Sequence, residues 1–77
     1  MPRTVISYVF SDSPNTAESP AGVLVERPGR ESVLAENVVA GDEICINFLK
    51  ATVSEVGSTV INDDGTKEPR TVISGGA

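Results

Sequence analysis

A chain of 77 residues carrying 6 Lys and Arg against 11 Asp and Glu, a net charge of −5, has room for one domain with a thin core. With no histidine and a single cysteine, Cys45, it can form neither an intrachain disulfide nor the usual zinc constellations, and its field repels phosphate backbones and anionic lipid. Nucleic acid and membrane are therefore set aside as partners, and so are cofactors, which leaves protein subunits as the means of supporting a small core.

Residues Thr4 to Phe10 alternate, with Ile6, Tyr8 and Phe10 on one face and Val5, Ser7 and Val9 on the other, which predicts a strand. Met1-Pro2-Arg3 runs straight into that pattern with no basic and apolar signal segment, and no apolar stretch approaches a membrane span, so a soluble protein synthesised in a cytoplasm is expected. Residues 11–21 are rich in Ser, Asp and Asn and contain Pro14 and Pro20, a composition that predicts a long polar loop or arm.

From Gly22 onward short strands alternate with turn signals. Pro28-Gly29 suits a type II turn, Gly41-Asp42 and Gly57-Ser58 suit type II′ hairpins, and Asp64-Gly65 suits a type I′ turn. Between them lie Val23 to Val25, Ser32 to Ala40, Glu43 to Phe48, Thr52 to Val56, Thr59 to Asn62 and Arg70 to Ser74. Glu31 to Val39 is compatible with a strand or a short helix, since Val33, Leu34 and Val38 fit both periods. In Glu43 to Phe48 the set Ile44, Ile46 and Phe48 is expected to face the core. Gly57-Ser58 predicts a hairpin joining its flanking strands, with Gly57 at positive φ. Pro69 before the last strand points to an edge position, and residues 75–77 read as a flexible tail. The fold expected is one all-β domain over residues 1–77, a small sandwich or barrel of short antiparallel strands joined by tight hairpins.

Pro2-Arg3-Thr4-Val5-Ile6-Ser7 recurs as Pro69-Arg70-Thr71-Val72-Ile73-Ser74, and Thr-Val-Ile appears a third time at Thr59 to Ile61. Such strings recur in strands because β-branched residues favour them; alternatively the terminal strands share an environment, pairing with each other or with neighbouring copies. Thr4, Val5, Ile6 and Val9, with Thr71, Val72 and Ile73, are the candidate interface on the second reading. Both faces of the first strand are apolar, and the Thr-Val-Ile edges carry no central Lys to discourage strand addition.

No residue set points to catalysis. Cys45, alternating with Ile44 and Ile46, reads as a packing residue, and the pairs Asp42-Glu43 and Asp63-Asp64 sit at turns, where Asp bonds nearby backbone. Asn62 to Gly65 begins like a calcium loop, but its twelfth position falls on Ile73 where a carboxylate is needed, leaving at most a two-ligand surface site. Arg27 and Arg30 flank the Pro-Gly turn and are either solvated or turned to an acidic partner.

The run Asn37-Val38-Val39-Ala40-Gly41-Asp42-Glu43-Ile44 resembles the short β-turn-β units of small phage capsid-decoration (cement) proteins, over roughly Glu36 to Val56. The resemblance implies a non-enzymatic capsid-stabilising role in the virion, a major capsid protein as partner, and a homo-oligomer on the particle surface; it transfers no functional residues. The alternative is a small SH3-like or OB-like protein-binding module or regulator.

Overall fold

The computed structural model describes residues 1–75. Seven strands, β1 (Arg3–Phe10), β2 (Thr16–Pro20), β3 (Leu24–Arg27), β4 (Arg30–Leu34), β5 (Glu43–Ile46), β6 (Leu49–Ile61) and β7 (Thr71–Gly75), build one antiparallel sheet. The order is β2-β1-β6-β5-β3-β4, with β7 paired to β6 off that path. The all-β, antiparallel expectation holds, and the sheet is not closed into a barrel. It curls, so that Ile6, Tyr8 and Phe10 of β1 and Ala17 of β2 share one buried cluster with Val25 of β3, Ile44 of β5 and Ala51, Val53 and Val56 of β6.

β6 is the spine of the molecule. One of its edges takes β1, from Arg3 opposite Ile61 to Phe10 opposite Val53. The other takes, in succession, β5, the backbone of Gly41 and Asp42, β7, and Lys67 with Glu68. The hairpin expected at Gly57-Ser58 is therefore absent: Gly57 lies inside β6, opposite Ser7 on one side and Val72 on the other, and its φ is not positive. Ladders on both edges hold the strand straight through a dipeptide that in isolation favours a turn. What Gly57 does is admit Arg70, whose guanidinium lies where a Cβ would stand, with Cζ 2.5 Å from that position. From there Arg70 Nε donates to Ser7 Oγ at 2.6 Å and NH1 to Glu55 Oε1 at 2.8 Å.

This arrangement predicts that Gly57→Val is close to neutral, because the gain in strand propensity offsets the displaced arginine, each on the order of 1 kcal/mol. In an Arg70→Ala background the same substitution stabilises by about 1 kcal/mol, measurable by urea denaturation as a double-mutant cycle. Additive effects of the two changes would refute the contact.

The loop expected over residues 11–21 contains β2, which pairs with β1 from Val5 opposite Pro20 to Val9 opposite Thr16. Its alternation is real but written in small residues: Ala17 and Ser19 point inward and are buried, while Thr16, Glu18 and Pro20 point out. Pro20 is tolerated because β2 is an edge strand. Over residues 31–39 the strand reading holds as far as Leu34, and the helical reading is met only by a single 3-10 turn at Ala35–Asn37, with Val38 and Val39 in neither element. Gly75, expected in a tail, is the last residue of β7; residues 76 and 77 of that expected tail lie outside the described residues.

The turns are also specific. Gly29, at φ 72°, follows Pro28 in the type II turn expected between β3 and β4. Gly41 is the third residue of a turn closed by the Asp42 N–H on Val39 O at 3.1 Å, rather than the first of a two-residue hairpin. At Asn62 to Gly65 the Gly65 N–H reaches Asn62 O at 2.9 Å and only Gly65 has positive φ, which is a type I turn with a glycine bulge instead of type I′. Asp64 Oδ1 accepts from the Thr66 N–H and hydroxyl, at 3.0 and 2.7 Å, and these bonds lower its pKa.

The hairpin tip as candidate functional site

β5 and β6 pair with Ile46 opposite Leu49, which leaves Asn47 and Phe48 as a two-residue loop. Both have positive φ, 52° and 64°, the geometry of a type I′ turn. Asn tolerates it, since its short side chain bonds locally. Phe does not: a bulky residue there costs roughly 1–2 kcal/mol, and the second position is ordinarily glycine. The Phe48 ring is fully exposed, at 105%, so burial returns none of that cost. An aromatic placed against both backbone preference and hydration makes the tip the candidate contact site.

Its surroundings support this. Val23 and Leu24 are exposed at 47% and 65%, and with Pro20, Ile46 and Phe48 they line an open concavity of about 510 Å³. Leu34, opposite Leu24 on β4, extends the apolar surface. Glu18 and Glu26 also line it, as does Cys45, which is free and half-buried. The lining thus combines apolar residues with two carboxylates, Glu18 and Glu26. No helix among the described residues is long and apolar enough to cross a membrane, and among those residues no group of three His, Cys, Asp or Glu is placed to hold a metal.

The sequence put Phe48 in the core with Ile44 and Ile46; of these Ile44 is buried and Ile46 half-buried. The signal that could have found the tip is a change of parity. Inward residues are even-numbered in β5 (Ile44, Ile46) and odd-numbered at the start of β6 (Leu49, Ala51, Val53), and a two-residue hairpin produces that switch.

The seven candidate interface residues fall into two groups on opposite edges of β6. Thr4 is exposed, while Val5 and Val9 are half-buried. Ile6, at 1% exposure, belongs to the core and is inaccessible to a partner, because its face of β1 is the one packed inward with Tyr8 and Phe10. Thr71, Val72 and Ile73 are exposed on β7. The two Pro-Arg-Thr-Val-Ile-Ser copies do not pair with each other, since β6 separates them, and their environments differ: Ile6 is core, Ile73 is 47% exposed. Arg27, largely buried, and Arg30, which stays exposed, both meet Asp42, with nitrogen to oxygen distances of 3.8 and 3.1 Å. Comparison with known proteins gives no matching family model, no significant match among curated proteins and none among solved structures.

Proposed function

We propose that this chain is a non-enzymatic assembly protein that docks on a larger protein particle through the Asn47-Phe48 tip. The observation carrying the proposal is the fully exposed Phe48 in a left-handed conformation. Strain at the tip is the cost of presenting a rigid aromatic anchor, and the adjoining concavity gives the partner an apolar seat. Capsid decoration in a virion, with a major capsid protein as the shell, is the specific form of this reading, because the segment resembling cement proteins, Glu36 to Val56, contains the tip. An aromatic groove of the SH3 kind gains no support, as Tyr8 and Phe10 are buried and only Phe48 faces outward.

The test uses Phe48→Gly. Glycine relieves the positive φ, so the isolated chain becomes more stable by about 1 kcal/mol in thermal or urea unfolding. Particle binding weakens by roughly 2 kcal/mol or more, about thirtyfold, as for loss of a central aromatic anchor. In density gradients of the source cells the native chain should travel with a high-mass protein assembly and the variant should not. A native chain confined to the low-mass fractions, or a variant that still co-sediments, would overturn the reading.

A further inference from the structure

The three Thr-Val-Ile strings are used unequally. Thr4 to Ile6 runs antiparallel to Thr59 to Ile61, with Thr4 opposite Val60 and Val5 opposite Thr59, so the string pairs with itself inside the chain. The third string, Thr71 to Ile73, lies opposite Ser58 and Gly57 on the other edge of β6. Beyond its β6 ladder, Thr71 to Ile73 has no backbone hydrogen bond among the described residues. The other two edges of the sheet are guarded: β2 carries Glu18 and Pro20, and β4 carries Arg30 and Glu31. β7 reads Thr-Val-Ile-Ser-Gly with no charge and no proline, and Val72 and Ile73 are each 47% exposed.

We propose that β7 is a self-association strand, through which two copies of the chain pair β7 to β7 antiparallel about a two-fold axis. The axis passes beside Val72, which stands opposite Val72 of the other copy, with Thr71 opposite Ile73 and Ile73 opposite Thr71, so that facing side chains share one face of the sheet. That register is its own mirror under exchange of the copies, as an isologous contact requires. Cross-strand pairs of β-branched residues add to the ladder. A contact this short falls below the roughly 800 Å² per partner of stable complexes, so the dimer is weak and reversible in dilute solution. Phe48 lies about 30 Å from Gly57 along β6, at roughly 3.3 Å per residue, which leaves the tip free while β7 is paired. The inference does not rest on the tip as docking site, and Phe48→Gly leaves the dimer unchanged.

Sedimentation equilibrium of the full chain from about 10 μM to about 1 mM brackets a contact of this strength. Expected is a monomer–dimer equilibrium, weakened about tenfold or more by Val72→Lys and by Val72→Glu, each placing like charges across the axis. An equimolar mixture of the two variants restores dimer, as Lys then faces Glu. Val72 is half exposed, so both variants retain the native far-ultraviolet circular dichroism; should either unfold, concentration-dependent protection of the Val72 and Ile73 amides in the native chain decides instead. The proposal fails if the chain stays monomeric at the highest concentration, if both charge variants dimerise like the native chain, or if subunits exchange only after unfolding, which would mean swapped β7 strands.

Discussion

Replacing Asp42 by Ala should lower the free energy of unfolding by about 2–4 kcal/mol, a large share of what a domain of this size has. Asp42 is 8% exposed and ties three parts of the sheet together. Its Oδ1 meets Arg30 NH1 at 3.1 Å, and its Oδ2 meets Arg27 NH1 at 3.8 Å and accepts from the Val39 N–H at 3.3 Å. Its backbone carbonyl accepts from the Val53 N–H at 2.8 Å, which anchors the turn to β6. Truncation leaves the Arg27 side chain, 15% exposed, without its counter-charge, and that orphaned cation is the main cost. Asp42→Asn, which keeps an acceptor for Val39, should lose only about half as much. Arg30→Ala should cost under about 1 kcal/mol, since Arg30 is 62% exposed and water screens its pair. Urea denaturation of the three variants gives the order; an Asp42→Ala chain within about 0.5 kcal/mol of native would show the cluster to be ornamental.

The cluster also shows why sequence reasoning stopped where it did. Alternation in β1, the Pro28-Gly29 turn and the edge position of the strand after Pro69 were legible because each depends on neighbours in sequence. Arg27 precedes β4 and Arg30 begins it, while Asp42 follows the 3-10 turn, so nothing local distinguishes a buried cluster from a solvated turn. Gly57 failed for the same reason in reverse. Its local signal was genuine, and pairing on both edges of β6 overrode it, with an arginine from a distant segment taking the space a side chain would fill. β2 was lost because Ser19 and Ala17, its inward residues, are small, in a segment where prolines and polar residues dominate.

The tip was half legible. Asn47 permits a left-handed conformation, and the parity switch between Ile46 and Leu49 marks a two-residue turn, yet a phenylalanine continuing the alternation of Glu43 to Ile46 looks like a core residue. Patterning assumes that each apolar residue is placed for folding. Phe48 breaks that assumption, because it continues the alternation and yet stands fully exposed. β7 is the converse: its residues were singled out for lacking guards, and the topology adds that it is an edge strand paired only to β6.

Raising the pH from about 10 to about 12 should destabilise the chain by roughly 2–3 kcal/mol through one group, Tyr8. Tyr8 is fully buried, and its hydroxyl donates to the Ala35 carbonyl at 2.8 Å, joining β1 to the 3-10 turn across the core. Burial pushes its pKa up from 10.0 to about 12, and the negative charge of Glu36 adds to the shift. Glu36 is itself held ionised by the Gly22 N–H, which donates to Oε1 at 2.9 Å and lowers its pKa. The unfolded chain sheds the Tyr8 proton near pH 10, whereas the folded chain keeps it to about 12. Within that window the native state binds more protons than the unfolded one, so stability falls as pH rises, by about 1.4 kcal/mol per unit, and is unaffected by this group below it. Tyr8→Phe separates the effects: at neutral pH it costs about 1–2 kcal/mol by orphaning the Ala35 carbonyl, and between pH 10 and 12 it removes the Tyr8 share of the decline. Because Tyr8 is the only tyrosine, tyrosinate absorbance of the folded chain reads its ionisation directly. Stability curves of the native and Tyr8→Phe chains that stay parallel through this window, or a phenol titrating near 10 in the folded state, would place the Tyr8 hydroxyl in water rather than on Ala35.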